Sequence, residues 1–188
     1  FLFNTLNVIS GMANLEDAPT TEKMIGSLSA LFRYNLKNVE HKIALAQELK
    51  IARDYMYLQQ MRFGSRIEYQ EDIRVNVDEV IVPSYLLQPL IENSIIHGLA
   101  RKEKGGWVKV RVKWVNNDLH VIVGDNGIGI PRKHLETIRK TFETGDFKGI
   151  GVGNIYKRIR SNMWKGSMTI SSKENMGTII RIIIPNNR

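Results

Sequence analysis

The sequence predicts an α+β protein in two parts. A helical segment covers residues 1–64, and from residue 65 a layer sandwich follows in which helices cover one face of a mixed sheet. Apolar residues recur at helical spacing as far as Gly64, and beyond it they alternate as in strands. The strands are separated mainly by short turns, which points to hairpins rather than a purely parallel sheet.

In the first part Met24, Leu28, Leu31, Phe32 and Val39 share a helical period, as do Leu45, Leu49, Ala52 and Met56. Asp17-Ala18-Pro19-Thr20-Thr21 separates the first helix from the second, with Thr20 or Thr21 as the expected N-cap. Gly64 is placed to close the third helix. Three helices with wide apolar faces and no strand to cover them predict a bundle completed by a second copy of the chain. The alternative is that they pack on the rest of the same chain.

In the second part Arg66–Gln70 alternates like a strand, and Pro83 suits the first turn of a helix running to about Leu99. Trp107 to Asp125 reads as a hairpin with Asn116-Asn117 at the turn. Val108, Val110, Val112 and Trp114 lie on one face of it, and Trp107, Lys109, Arg111 and Lys113 on the other. Pro131 to about Thr141 and Gly153 to Trp164 read as helices, the latter closed by Gly166. Met168–Ile170 and Thr178–Ile184 complete the sheet.

Composition narrows the function classes. There are no cysteines, so disulfides and thiolate metal sites are excluded, and the four histidines lack metal-ligand spacing. No apolar run approaches the ~20 residues that span a bilayer. The chain opens on Phe1-Leu2-Phe3 and reads as a fragment. Its net charge of +8 is spread out, with modest clusters at Arg101-Lys102-Lys104 and Lys157-Arg158-Arg160. That excess suits a small polyanion such as a nucleoside triphosphate at least as well as a nucleic acid, and no polynucleotide partner is expected.

Three stretches carry groups that folding does not require. In "LLQPLIENSIIHGL", Leu86–Leu99, an acid, an amide and an imidazole interrupt an apolar helix. Asn93 and His97 stand at i, i+4 and share a face. An amide oxygen is a hard ligand suited to Mg²⁺, and His97 can donate to phosphate, or serve as a core histidine. Glu92 points about 100° away around the helix; it is read equally as a base or water-positioning group and as a structural one. In "DNGIGI", Asp125 ends an apolar strand and can accept from an exocyclic amine, while Gly127 and Gly129 let backbone approach a flat ring. The same residues also suit an ordinary turn. In "KGIGVGN", Lys148 to Asn154, glycines open a helix and offer N–H donors to phosphate, or form a hinge without a ligand.

Taken in order with Gly177-Thr178, these stretches resemble the four boxes of the Bergerat-type ATP-binding domain shared by sensor histidine kinases, gyrase, Hsp90 and MutL. "FLFNTLN" at the start, Ile43 to Gly64, and the Leu86–Leu99 stretch make the whole chain similar to LytS/YesM-type sensor histidine kinases. The resemblance implies Mg²⁺ on Asn93, and adenine bound by Asp125 with Gly127, Gly129 and Thr178 shaping its slot. It further implies phosphates held by Gly149, Gly151 and neighbouring amides under a lid from about Phe142 to Val152. Lys148 is a local candidate for phosphate contact, and Gly153, Asn154 and Arg158, at positions that follow the glycines, would also belong to the cofactor site. In this family a phosphoacceptor histidine directly precedes the "FLFN" segment, which places it upstream of Phe1. Asn4 would lie one turn beyond it, where it could orient water for phosphatase chemistry.

The chain departs from many histidine kinases at two positions. Ile96 stands where a basic residue is common, and Pro89 where another Asn is common. The implied function is transfer of the ATP γ-phosphoryl to that histidine within a homodimeric four-helix bundle, then to an Asp of a response regulator. The full-length protein would sit in a bacterial cell membrane with this portion in the cytoplasm. Two rivals keep the fold: a non-catalytic dimerisation and docking module, and an ATPase or serine kinase of the same nucleotide-binding class.

Overall fold

The computed structural model describes residues 1–36, 42–145 and 152–186. It opens with a helical hairpin, α1 (Leu2–Leu15) and α2 (Pro19–Leu36). Neither Thr20 nor Thr21 caps α2: the helix starts at Pro19, whose fixed φ and missing N–H suit the first helical position. A short strand β1 (Ile43–Ala44) leads into α3 (Leu45–Phe63), which ends at Gly64 with φ 62°.

Strand β2 (Ile67–Arg74) follows, and then β3 (Ile81–Val82), which pairs antiparallel with β1. The Leu86–Leu99 stretch departs from expectation. Pro83 is not helical, Ser84–Leu87 bend, and α4 occupies only Gln88–Asn93, with Pro89 in its first turn. Ser94–Leu99 then continue as a wider π-helical turn, closed by the Ala100 N–H on the Ile95 carbonyl at 2.8 Å. Such turns arise where tertiary packing rather than helix propensity sets the geometry, and they recur at functional sites.

The main sheet is completed by β4 (Gly106–Val115), β5 (Asp118–Asp125), β6 (Ser167–Lys173) and β7 (Gly177–Ile184), in the order β2-β4-β5-β7-β6. Among the described residues, only β2 and β4 pair in parallel. Asn116 and Asn117 both take positive φ, 50° and 68°, as the expected tight turn requires. Between β5 and β6 lie α5 (Arg132–Thr144) and α6 (Gly153–Arg160). Helix α6 stops short of Trp164, but the Gly166 N–H returns to the Ile159 carbonyl at 2.8 Å.

One face of the sheet is apolar and covered. Val108, Val110, Val112, Val121, Val123, Ile180 and Ile182 are buried beneath Leu90, Ile91, Ile95, Ile155 and Ile159. Trp114, expected on the same face, is 43% exposed at the hairpin end. Helix α3 joins this core through Leu45, Leu49, Ala52 and Met56, as do Leu31 and Tyr34 of α2. The third helix is therefore covered by its own chain, whereas α1 buries only Leu6 and Ala13.

Candidate functional site

The site is built where the carboxyl end of β5 meets the start of β7 and the π-helical turn. Asp125 pairs across the sheet with Thr178 and is 5% exposed. Its Oδ1 accepts the Gly127 N–H at 2.9 Å and the Thr178 N–H at 3.3 Å. Burial pushes the Asp125 carboxyl above the usual carboxylate range. The Gly127 N–H, the Ser94 hydroxyl, the Thr178 N–H and the Lys102 ammonium pull the other way. A buried acceptor held by fixed donors is suited to read one further donor group on a ligand.

The glycines of "DNGIGI" serve the chain's own backbone. A Cβ on Gly127 would stand 2.5 Å from the Gly98 backbone, and the Ile128 N–H donates to the Gly98 carbonyl at 3.1 Å. Gly129 has φ 67°, and a Cβ there would meet the Lys173 carbonyl at 2.1 Å. The loop after β5 is thus clamped between the π-helical turn on one side and the β6–β7 turn on the other. Thr178 Oγ1 lies 3.0 Å from Ser172 Oγ, and Ser172 Oγ also accepts the Ile130 N–H at 2.9 Å.

Asn93 is the last residue of α4, half-buried, one position before Ser94, which reaches Asp125. Among the described residues its amide makes no hydrogen bond, so its oxygen is available to a hard cation carried by phosphates. His97 is exposed on the π-helical turn. Glu92 is half-buried, its carboxyl raised by burial, and lies within electrostatic reach of Tyr55 on α3. Among the described residues no cluster of His, Asp and Glu forms a ready metal cage. That donor set fits Mg²⁺ held mainly by phosphates and water, and does not fit a metal held by protein ligands alone.

The remaining expected residues are more dispersed. Lys148, Gly149 and Gly151 lie outside the described residues, as does most of the expected lid. Gly153 is buried at the start of α6, and Asn154 is exposed beside it. Arg158, expected at the cofactor site, donates to the Ser84 carbonyl and stands 5.7 Å over the Tyr85 ring. Asn4 is exposed on α1, which packs on α2.

Sequence reasoning missed Ser94, Gly98, Lys102 and Ser172. Gly98 follows His97 within the quoted stretch and carried a visible signal. Lys102 hides in a basic cluster, although its Nζ donates to the Asn126 carbonyl at 2.6 Å. Ser172 has no local signature, because its role exists only through strand pairing.

Residues 1–67 match the histidine kinase family model, and residues 80–188 match that of histidine kinase-, DNA gyrase B- and HSP90-like ATPases. The chain is 34% identical over 190 residues to the sensor protein LytS of Enterococcus faecalis, covering 98% of this chain and 32% of the relative. It is 31% identical over 189 residues to the Bacillus subtilis protein YwpD, covering 98% of this chain and 65% of that one. The chain thus spans from about a third to about two thirds of the length of these relatives. The histidine kinase domain of the Erythrobacter litoralis EL346 blue-light activated kinase shares the fold, with a TM-score of 0.55 at 17% identity over 97% of this chain and 82% of that one. With a helical hairpin of the histidine kinase family model ahead of the sheet that carries Asp125 and its glycine-clamped loop, the chain belongs to the histidine kinase-, DNA gyrase B- and HSP90-like ATPases.

Proposed function

We propose that this chain is the catalytic portion of an ATP-dependent protein-histidine kinase. The observation that carries the reading is Asp125: a buried carboxylate at a strand end, fixed by the Gly127 and Thr178 amides and facing the turn that follows Asn93. Asp125 accepts the adenine amine, while Thr178 and the clamped Gly127–Gly129 loop hold the ring edge. Asn93 supplies one oxygen to Mg²⁺ on the phosphates, and His97 is exposed one turn further to meet phosphate charge. Bound Mg²⁺ neutralises charge developing on the transferred phosphoryl group, and catalysis otherwise rests on positioning.

On this reading residues 1–64 form the dimerisation and histidine-phosphotransfer segment, and residues 65–188 the ATP-binding domain. The γ-phosphoryl passes to a histidine upstream of Asn4 and then to an Asp of a response-regulator receiver domain. Residues Gly149, Gly151 and Lys148 line the phosphates, and the longer protein is anchored in a membrane by other segments. No helix among the described residues is long and apolar enough to cross a membrane.

The test is titration of a fluorescent ATP analogue against this chain, with and without Mg²⁺. The chain binds, Mg²⁺ tightens binding, and Asn93→Ala removes the Mg²⁺ effect while the circular dichroism spectrum is unchanged. Absence of nucleotide affinity in the unaltered chain would overturn the reading. In a protein extended upstream through the histidine, Asn93→Ala also abolishes autophosphorylation.

A further inference from the structure

A buried polar knot that the proposed chemistry does not use joins the helical hairpin to the helix carrying Asn93. Glu48, in the first turn of α3, is fully buried. Its Oε1 accepts the Tyr34 hydroxyl from α2, and its Oε2 accepts the Leu86 and Leu87 N–H groups at 2.9 and 2.8 Å. The Tyr85 N–H donates to Tyr34 Oη at 2.7 Å, and the Tyr85 hydroxyl donates back to the Tyr34 carbonyl. The two rings lie 4.4 Å apart. From the opposite side Arg158 of α6 donates to the Ser84 carbonyl and covers the Tyr85 ring. Helices α2, α3 and α6 therefore all grip Ser84–Leu87, the segment that feeds α4.

Stability alone does not call for this arrangement. A buried carboxylate is costly unless every lone pair is met, and an apolar residue of similar volume commonly serves the core as well. What such a network supplies is a defined geometry. Burial pushes the Glu48 carboxyl up, and its Leu87, Tyr34 and Leu86 donors pull it back. The segment it holds is also under tension. Tyr85 sits at φ 55°, a left-handed conformation unfavourable for an aromatic residue and maintained only by its surroundings. On either side of it Ser84 Oγ and Gln88 Oε1 are buried and find no partner among the described residues.

We propose that Glu48 and Tyr34 are positioning residues for the nucleotide site. They fix the start of α4, and through it Asn93 and Ser94, against the last turn of α2, so that nucleotide affinity depends on how the helical hairpin is docked. Arg158 ties the helix that follows the glycine-rich stretch to the same joint. The proposal rests on the ATP-site reading above. Because coupling of this kind is reciprocal, Mg-ATP must in turn tighten the docking of α2.

Tyr34→Phe keeps the ring and deletes the hydroxyl that links Glu48 to Tyr85; Glu48→Gln keeps one acceptor and loses the charge. Backbone hydrogen exchange over Leu86–Asn93 is expected to speed up at least tenfold in Tyr34→Phe, with β4 and β5 unchanged. Affinity for the fluorescent ATP analogue with Mg²⁺ is expected to fall about threefold to tenfold in both variants. Saturating Mg-ATP is expected to slow exchange over Leu31–Leu36 in the unaltered chain and not in Tyr34→Phe. If Tyr34→Phe lowers the unfolding midpoint but leaves affinity and α4 exchange unchanged, the knot is only filler and the proposal fails. If Glu48→Gln does not fold, Tyr34→Phe alone decides. If the unaltered chain binds no nucleotide, the ATP reading fails separately. Faster α4 exchange in Tyr34→Phe would then still support the joint, and unchanged exchange would remove it.

Discussion

At the scale of single residues, the roles proposed for Asp125 and Asn93 differ because their surroundings differ. Asp125 is buried and fixed by backbone donors, which lifts its carboxyl above the usual range. A neutral carboxyl cannot offer the same acceptor to an adenine amine. Nucleotide affinity should therefore fall as pH drops through that raised value, earlier than for a solvent-exposed Asp. The contribution to stability runs the other way: it is fully present below the ordinary Asp pKa and is lost as pH rises through the raised folded value. Calorimetric titration of the ATP analogue between pH 4 and 8 checks the first half. Asp125→Asn should weaken binding about tenfold or more and flatten that pH dependence, since a good buried hydrogen bond to a charged group is worth about 1.5–3 kcal/mol. Unchanged affinity in this variant would take Asp125 out of the adenine site.

At the scale of elements, the decisive piece is the short α4 and its π-helical turn. Pro89 cannot donate a backbone hydrogen bond and so belongs in the first turn, which sets the start of α4 later than the apolar pattern alone suggests. The widened turn presents the Gly98 backbone to the loop after β5, where a Cβ on Gly127 would stand 2.5 Å from it. Gly127→Ala should force that contact apart, at about 1–3 kcal/mol of stability for overpacking. Its urea midpoint should drop, and nucleotide affinity should drop with it, because the Gly127 N–H that fixes Asp125 moves. A stability loss with intact affinity would show that the clamp shapes the fold but not the site.

At the scale of the whole molecule, α1 leaves a run of apolar side chains at the surface. Leu15 is 81% exposed, Val8 66% and Met12 50%, while Leu31 and Tyr34 of α2 and Leu45, Leu49, Ala52 and Met56 of α3 enter the chain's own core. A helix with that much uncovered apolar surface is expected to find a partner, and a second copy of α1–α2 completes a four-helix bundle. Sedimentation should give a dimer that Val8→Asp with Met12→Asp converts to a monomer. A monomer in the unaltered chain would move dimerisation to other parts of the protein.

The sequence by itself determined the α+β class, the β4–β5 hairpin and its Asn116-Asn117 turn, and the end of α3 at Gly64. Each rests on local periodicity or on a backbone conformation few residues adopt. Asp125, Asn93, Gly127 and Gly129 stand out as candidates because their residue types are out of keeping with the apolar strands and helices beside them, whereas Thr178 is a candidate only through the family resemblance. Only the tertiary structure decided what long-range pairing creates: Ser172 beside Thr178, Gly98 against Gly127, and Arg158 turned to the Ser84 carbonyl. It also moved α3 from the expected bundle into the sheet's core. The apolar stripe of a helix states that something must cover it. Which surface does so is set by the competition among all the faces of the chain, and a single helix carries no record of that outcome.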